Sequence, residues 1–325
     1  MRFTLIALLI ALCYLPALAQ SSRFELPPPK DQAEARRFTF FAYDKSLPLN
    51  IKQKLKDENA TRARYVLSFD SVHDQRVPGI LSLPKGRKAP YPAVVLVHGS
   101  GGHKETSYIV FISEALVKAG FATLSIDTQY HGDRAHTGVS SEIHMPDSFR
   151  MRDGWVQSVV DLRRCVDYLQ SRPDIKSDNI GYMGFSQGAM LGAVLGGVEA
   201  RIACFCLAVP GGGLLDIVKN IDKYPVIKAH WPLKQTPETM KIIEEVVDIT
   251  DPIYYVGRIL PRPLLIIVAN HDEIIPPEAS KALLAAAGVD EKTNVQRWES
   301  GHVIPPVAVF SLRTFFVKYL GSGAK

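Results

Sequence analysis

At Gly184-Phe185-Ser186-Gln187-Gly188 an apolar run, 180–183, gives way to a stretch of small residues suited to a helix, 189–198. Two glycines flank a serine at the second place on either side, the spacing needed when a strand turns sharply into a helix and one side chain projects from the apex. A Cβ at either glycine would collide with the adjoining strand or helix, so the pattern demands strand, tight turn and helix in that order. A flexible glycine turn can carry the same five letters, and the rest of the chain has to decide between the two.

A hydroxyl is a weak nucleophile near neutral pH, so an active Ser186 needs a histidine base, a carboxylate to orient it, and donors for a developing oxyanion. Residues of each type follow in order. The apolar run 263–269 has strand length and ends in Asn270-His271-Asp272-Glu273, ahead of a helical pattern at 278–287. Asp272 thus falls on a strand-to-helix loop at the edge where sites of open α/β sheets gather, with Glu273 expected to face away. A short strand, 293–298, runs into Glu299-Ser300-Gly301-His302, which puts His302 on a second loop of that edge.

Upstream, the buried-type strand 93–97 enters His98-Gly99-Ser100-Gly101-Gly102. A glycine-rich loop there can aim backbone N–H groups at negative charge on a substrate oxygen. The expected donors are the amides of Gln187 and Ser100, with Gly101 the rival for the second. His98 reads as a residue that holds the loop by hydrogen bonding.

The order Ser186, Asp272, His302 with the HGSGG loop ahead of the serine resembles the α/β-hydrolase fold. Segments 76–84, 91–102, 127–134 and 272–276 resemble the dienelactone hydrolase and acetyl-xylan-esterase-like branch, over roughly 63 to the C-terminus. Dienelactone hydrolases proper use a cysteine nucleophile, where this chain has Ser186. The resemblance implies a mostly parallel eight-stranded sheet flanked by helices, with a small cap insertion.

The periodicities agree with that architecture. Strands are expected near 63–69, 75–83, 93–97, 121–126, 180–183, 202–209, 264–269 and 293–298. Helices are expected near 106–119, 154–170, 187–197, 237–247, 278–287 and 305–319. A chain of 325 residues with 46% hydrophobic content can form this as one large domain, 63–325, with 210–257 as the cap. The segment 20–62, with Pro27-Pro28-Pro29 and a charged run, reads as an irregular arm.

Residues 1–19 read as a signal peptide: Arg2, an apolar stretch from Phe3 to Leu15, then Ala17-Leu18-Ala19. The expectation is a secreted or periplasmic protein starting near Gln20, without stable membrane insertion after cleavage. Of four cysteines Cys13 leaves with the signal, and Cys165, Cys204 and Cys206 read as buried free thiols. His131, Asp133 and His136 read as loop residues; no metal and no cofactor is expected. A net charge of +5, dispersed among acids and without aromatic interleaving, speaks against nucleic acid as a partner.

Substrate selection is expected from the segment 127–154 and the cap, with Tyr130, His131 and Trp231 as substrate-binding residues; Trp155 and Trp298 read as core. These readings together lead to a serine hydrolase acting on a small-molecule carboxylic ester through an acyl-enzyme. A short acyl group in a small, polar-walled pocket is expected. A peptidase of the same fold and a non-catalytic binding protein on that scaffold are the alternatives.

Overall fold

The computed structural model describes residues 23–135, 148–230 and 234–321. One nine-stranded sheet runs through it in the order β1-β2-β3-β5-β4-β6-β7-β8-β9. The strands are β1 (Lys52–Glu58), β2 (Arg62–Asp70), β3 (Arg76–Pro84), β4 (Tyr91–Val97), β5 (Ala122–Ile126), β6 (Ile175–Phe185), β7 (Cys204–Ala208), β8 (Leu264–Ala269) and β9 (Val295–Trp298). The pairs from β5 through β4 and β6 to β9 are parallel; β1, β2, β3 and β5 pair antiparallel.

The long helices are α1 (Gln32–Thr39), α2 (Ser107–Lys118), α3 (Ser148–Gln170), α4 (Gln187–Val198), α7 (Pro237–Thr250), α8 (Pro277–Ala287) and α10 (Ala308–Leu320). Between α4 and α7 lie the short α5 (Leu214–Lys219) and α6 (Pro225–His230), and α9 (Glu291–Asn294) precedes β9.

Strand β4 shows why the sheet is covered on both sides. Its Val95 and Val97 pack with Leu162 and Val166 of α3 and Leu191 and Leu195 of α4. Its Val94 and Leu96 pack with Ile109 and Leu116 of α2 and Leu312 and Phe316 of α10. A strand buried on both faces must be apolar at every place, which is why 93–97 reads as an unbroken run. Each such valine or leucine, at most 1% exposed, contributes about 1.5–3 kcal/mol by leaving water. Cys204 and Cys206 lie in the cluster on α10's side of the sheet and Cys165 in the cluster on the other, all three free and buried.

The sheet has one strand more than the sequence suggests. The segment expected as an irregular arm contains α1 and β1, and β1 pairs with β2 from Lys52↔Ser68 to Glu58↔Ala63. Its residues Lys-Gln-Lys-Leu-Lys-Asp-Glu are almost all exposed. No apolar alternation marks such a strand, and its charges keep a free sheet edge from pairing with another molecule. Helix α1 is anchored far along the chain: Arg37 Nη2 donates to Asp248 Oδ1 at 2.6 Å and Nε to the Asp248 carbonyl at 2.9 Å, with the guanidinium 4.0 Å over the Tyr254 ring.

The insertion between β7 and β8 forms a cap from α5, α6 and α7. Asp251, 1% exposed, joins its two ends, accepting from the backbone N–H groups of Gly213 (3.0 Å), Leu214 (2.6 Å) and Ile253 (3.2 Å). Burial raises the carboxyl's pKa against the lowering effect of those amides.

Candidate active site

Ser186 stands at the apex between β6 and α4 with φ 53° and ψ −117°, a conformation a non-glycine residue holds only where the surroundings force it. The glycines supply that force. A Cβ at Gly188 would lie 2.6 Å from the carbonyl oxygens of Val97 and His98, and one at Gly184 would overlap the Gly188 carbonyl. Tyr182, on β6, donates its hydroxyl to that same carbonyl at 2.6 Å. The start of α4 is thereby pressed against the end of β4.

Asp272 and His302 lie on the loops after β8 and β9, and the two loops extend the β8–β9 ladder. The N–H of Asn270 donates to the Trp298 carbonyl at 2.8 Å and that of His271 to the Ser300 carbonyl at 3.0 Å. On this base His302 Nδ1 sits 2.9 Å from both Asp272 oxygens, and Nε2 sits 3.0 Å from Ser186 Oγ. Asp272 Oδ1 also accepts from the N–H groups of Ile274 (2.9 Å) and Ile275 (2.8 Å), which fixes the carboxylate. Phe185 packs edge-on against the His302 ring, centroids 5.4 Å apart.

Glu273 does not face away. Its Oε2 accepts from the backbone N–H of His302 at 2.9 Å, a bond that lowers its pKa.

Beside the serine, Gln187 is the first residue of α4, and its N–H has no intrahelical acceptor. Ser100 lines the same cavity as Ser186 and Gln187. The loop carrying Ser100 is tied down by Tyr108, whose hydroxyl accepts from the Gly99 N–H at 2.8 Å. Buried His98 bonds the Gly99 carbonyl through Nδ1 (2.8 Å) and accepts from the Thr128 N–H through Nε2 (3.3 Å). Burial, with nearby His131, pushes His98 down to about 4, so it is a neutral strut.

A cavity of about 260 Å³ opens from Ser186 toward the cap. Trp155 of α3, Met190 of α4, Ile217 of α5, Ala279 of α8, and Ile243 and Val247 of α7 line it. Of the segment 127–154, Ser148, Met151 and Arg152 line it, while the residues of its first part that are described turn elsewhere. His131 is fully buried, its Nδ1 2.9 Å from the Gln129 carbonyl, and its ring packs 5.0 Å from His98. Arg134 turns inward to Asp161 at 2.6 Å. Tyr130 packs its ring against Gly154 of α3 and does not line the cavity. Neither Tyr130 nor His131 is among the residues that line the cavity, and Trp231, His136, His144 and Met145 lie outside the described residues. Trp155 packs against the core as expected and also forms part of the cavity wall. The lining from α5 and α7 falls in the segment 210–257 expected to select substrate; Tyr108, the bond from Glu273 to His302 and the lining from Trp155 and α8 are what sequence reasoning missed.

A mostly parallel sheet with the serine on a strained strand-to-helix turn and the acid and histidine on later loops of one edge is the arrangement of the α/β-hydrolase fold. Residues 77–207 match the Dienelactone hydrolase family and residues 150–304 the Prolyl oligopeptidase family. Among curated proteins the chain is 24% identical to "Putative hydrolase YtaP" of Bacillus subtilis over 84% of this chain and 93% of that protein. Among solved structures it is similar to an acetyl xylan esterase from Paenibacillus sp. R4, at 21% identity and a TM-score of 0.73. It is likewise similar to acetyl xylan esterase 1 from Thermoanaerobacterium sp., at 19% and 0.70; both superpositions cover 91% of this chain and 96% of the other.

Proposed function

We propose that the protein is a serine esterase that cleaves carboxylic esters through an acyl-enzyme. The observation that carries this reading is the continuous line Asp272–His302–Ser186, with bonds of 2.9 and 3.0 Å, at the start of α4. His302 Nε2 takes the proton as Oγ attacks the ester carbon, while Asp272 holds the ring with Nδ1–H toward its carboxylate. The amides of Gln187 and Ser100 receive the oxyanion, where a single donor is worth about 10²–10³ in rate. Collapse breaks the bond to the alcohol, which leaves with the proton from Nε2. Water then gives a proton to Nε2 and attacks the acyl carbon; the acid departs and Ser186 recovers its proton.

Labelling by a fluorophosphonate together with hydrolysis of p-nitrophenyl esters tests this. Both activities should be present in the native protein and absent from Ser186→Ala. Persistent labelling of the variant, or an inert native protein, would refute the assignment. The match to the Prolyl oligopeptidase family supports a second reading, cleavage of short peptides. An aminoacyl anilide hydrolysed faster than any ester would decide for it. The sequence of residues 1–19 supports export, which N-terminal sequencing of the mature protein checks by a start near Gln20.

A further inference from the structure

The esterase reading leaves open which half of the ester enters the cavity. The geometry points to the acyl half: resting on that reading, the protein hydrolyses esters of medium-length, wholly apolar acids in preference to acetates. Ser186, Gln187 and Ser100, which meet the carbonyl carbon and oxygen, all line the cavity, whereas His302 and Asp272 do not. The departing alcohol must receive its proton from His302 Nε2, so it lies on the histidine side. There the neighbouring Val303 is 78% exposed, and the alcohol meets solvent. What remains to occupy the cavity is the acyl chain.

The walls say what kind of acyl chain. Beyond the serine end the cavity runs between apolar side chains of α4, α5, α7 and α8, with Met190, Ile217, Ile275 and Ala279 packed as one cluster. Two of the polar residues along it are already engaged: the Thr250 hydroxyl donates to the Val246 carbonyl at 3.0 Å, and the Arg152 guanidinium pairs with Asp153 at 2.7 Å. A hydroxylated or charged acyl group would lose its bonds to water along those helical walls without replacing them, the one unpaired buried acceptor among the lining, Gln187 Oε1, belonging to the residue next to Ser186. Size sets the length. A dry cavity of ~150 Å³ holds a benzene ring, and this one measures about 260 Å³. An acyl chain of about six to ten carbons fills it, while an acetyl group leaves most of it vacant.

The decisive measurement is kcat/KM over p-nitrophenyl esters from acetate to hexadecanoate, with methyl octanoate and octyl acetate as a matched pair. Each methylene buried should raise kcat/KM about three- to fourfold until the cavity is full. The series should peak near octanoate, about 10³ above acetate, and fall by hexadecanoate. Methyl octanoate should be cut faster than octyl acetate, and Ile217→Trp should lower the octanoate-to-acetate ratio at least tenfold. A maximum at acetate, or a preference for octyl acetate, overturns the acyl-pocket assignment while leaving the serine esterase intact. No ester hydrolysis together with no fluorophosphonate labelling overturns both. If Ile217→Trp does not fold, the native series and the matched pair decide alone.

Discussion

Glu273 holds the main chain of His302 through the 2.9 Å bond to its N–H, while the adjacent Asp272 holds the imidazole of that same histidine. Two consecutive acids thus fix one residue at two points, and their substitutions should separate. Asp272→Asn should lower kcat by about 10⁴, because the amide no longer favours the tautomer that leaves Nε2 free to accept. Glu273→Gln keeps an acceptor oxygen and should stay within about threefold, whereas Glu273→Ala should lose about tenfold. Steady-state kinetics of the three variants on one ester check this, and a large loss in Glu273→Gln with a small one in Asp272→Asn would exchange the two assignments.

The backbone of Ser186, at φ 53°, carries a cost that its hydroxyl does not relieve. Ser186→Ala should abolish activity, by about 10⁴–10⁶ in kcat, with little change in stability. Ser186→Gly, equally inactive, should be more stable than Ser186→Ala by about 1 kcal/mol, since glycine accepts this conformation freely. Urea unfolding of the two inactive variants gives the comparison; equal midpoints would mean the turn is unstrained.

Acid should weaken the fold through His98. Its folded value of about 4 lies below the ordinary 6.5, because burial, and then His131, disfavour the charged ring. Between those values the unfolded chain binds the proton and the folded one does not. The stabilisation is therefore complete above pH 6.5 and is lost as pH falls toward 4, by at most about 3 kcal/mol. Unfolding free energies measured at several pH values should show that decline, and His98→Asn should flatten it while lowering stability overall. An unchanged slope in the variant would place the titration elsewhere.

Tyr108→Phe removes the acceptor of the Gly99 N–H, next to Ser186 and on the loop that bears Ser100. The loop should loosen and kcat fall about tenfold, with KM less affected, because an oxyanion donor matters most in the transition state. An equal change confined to KM would assign the tyrosine to substrate binding.

The parts of the fold legible in the sequence were those whose physics is local. Strands β4, β6 and β8 read directly because burial on both faces leaves unbroken apolar runs. The turn at Ser186 read directly because glycine spacing and backbone geometry are one constraint. Strand β1 was not legible, since an exposed edge strand of lysines and acids has no alternation to show. The orientation of Glu273 was not legible because a loop has no period. Trp155, Met190, Ile217 and Val247 come from four helices, and nothing in their spacing along the chain announces that they share one cavity. The polar residues of 127–134 were near the site in sequence but are consumed in holding their own loop, as His131 and Arg134 show.

The tie between Arg37 and Asp248 spans 211 residues. At ~5–20 residues per second of synthesis, α1 exists for roughly ten to forty seconds before its anchor has been made. During that interval Phe38 and Phe41 lack the Tyr255 ring on which they pack in the finished protein. Helix α1 is thus locked into place only once the end of α7 has been made, although it precedes every strand of the sheet in the chain.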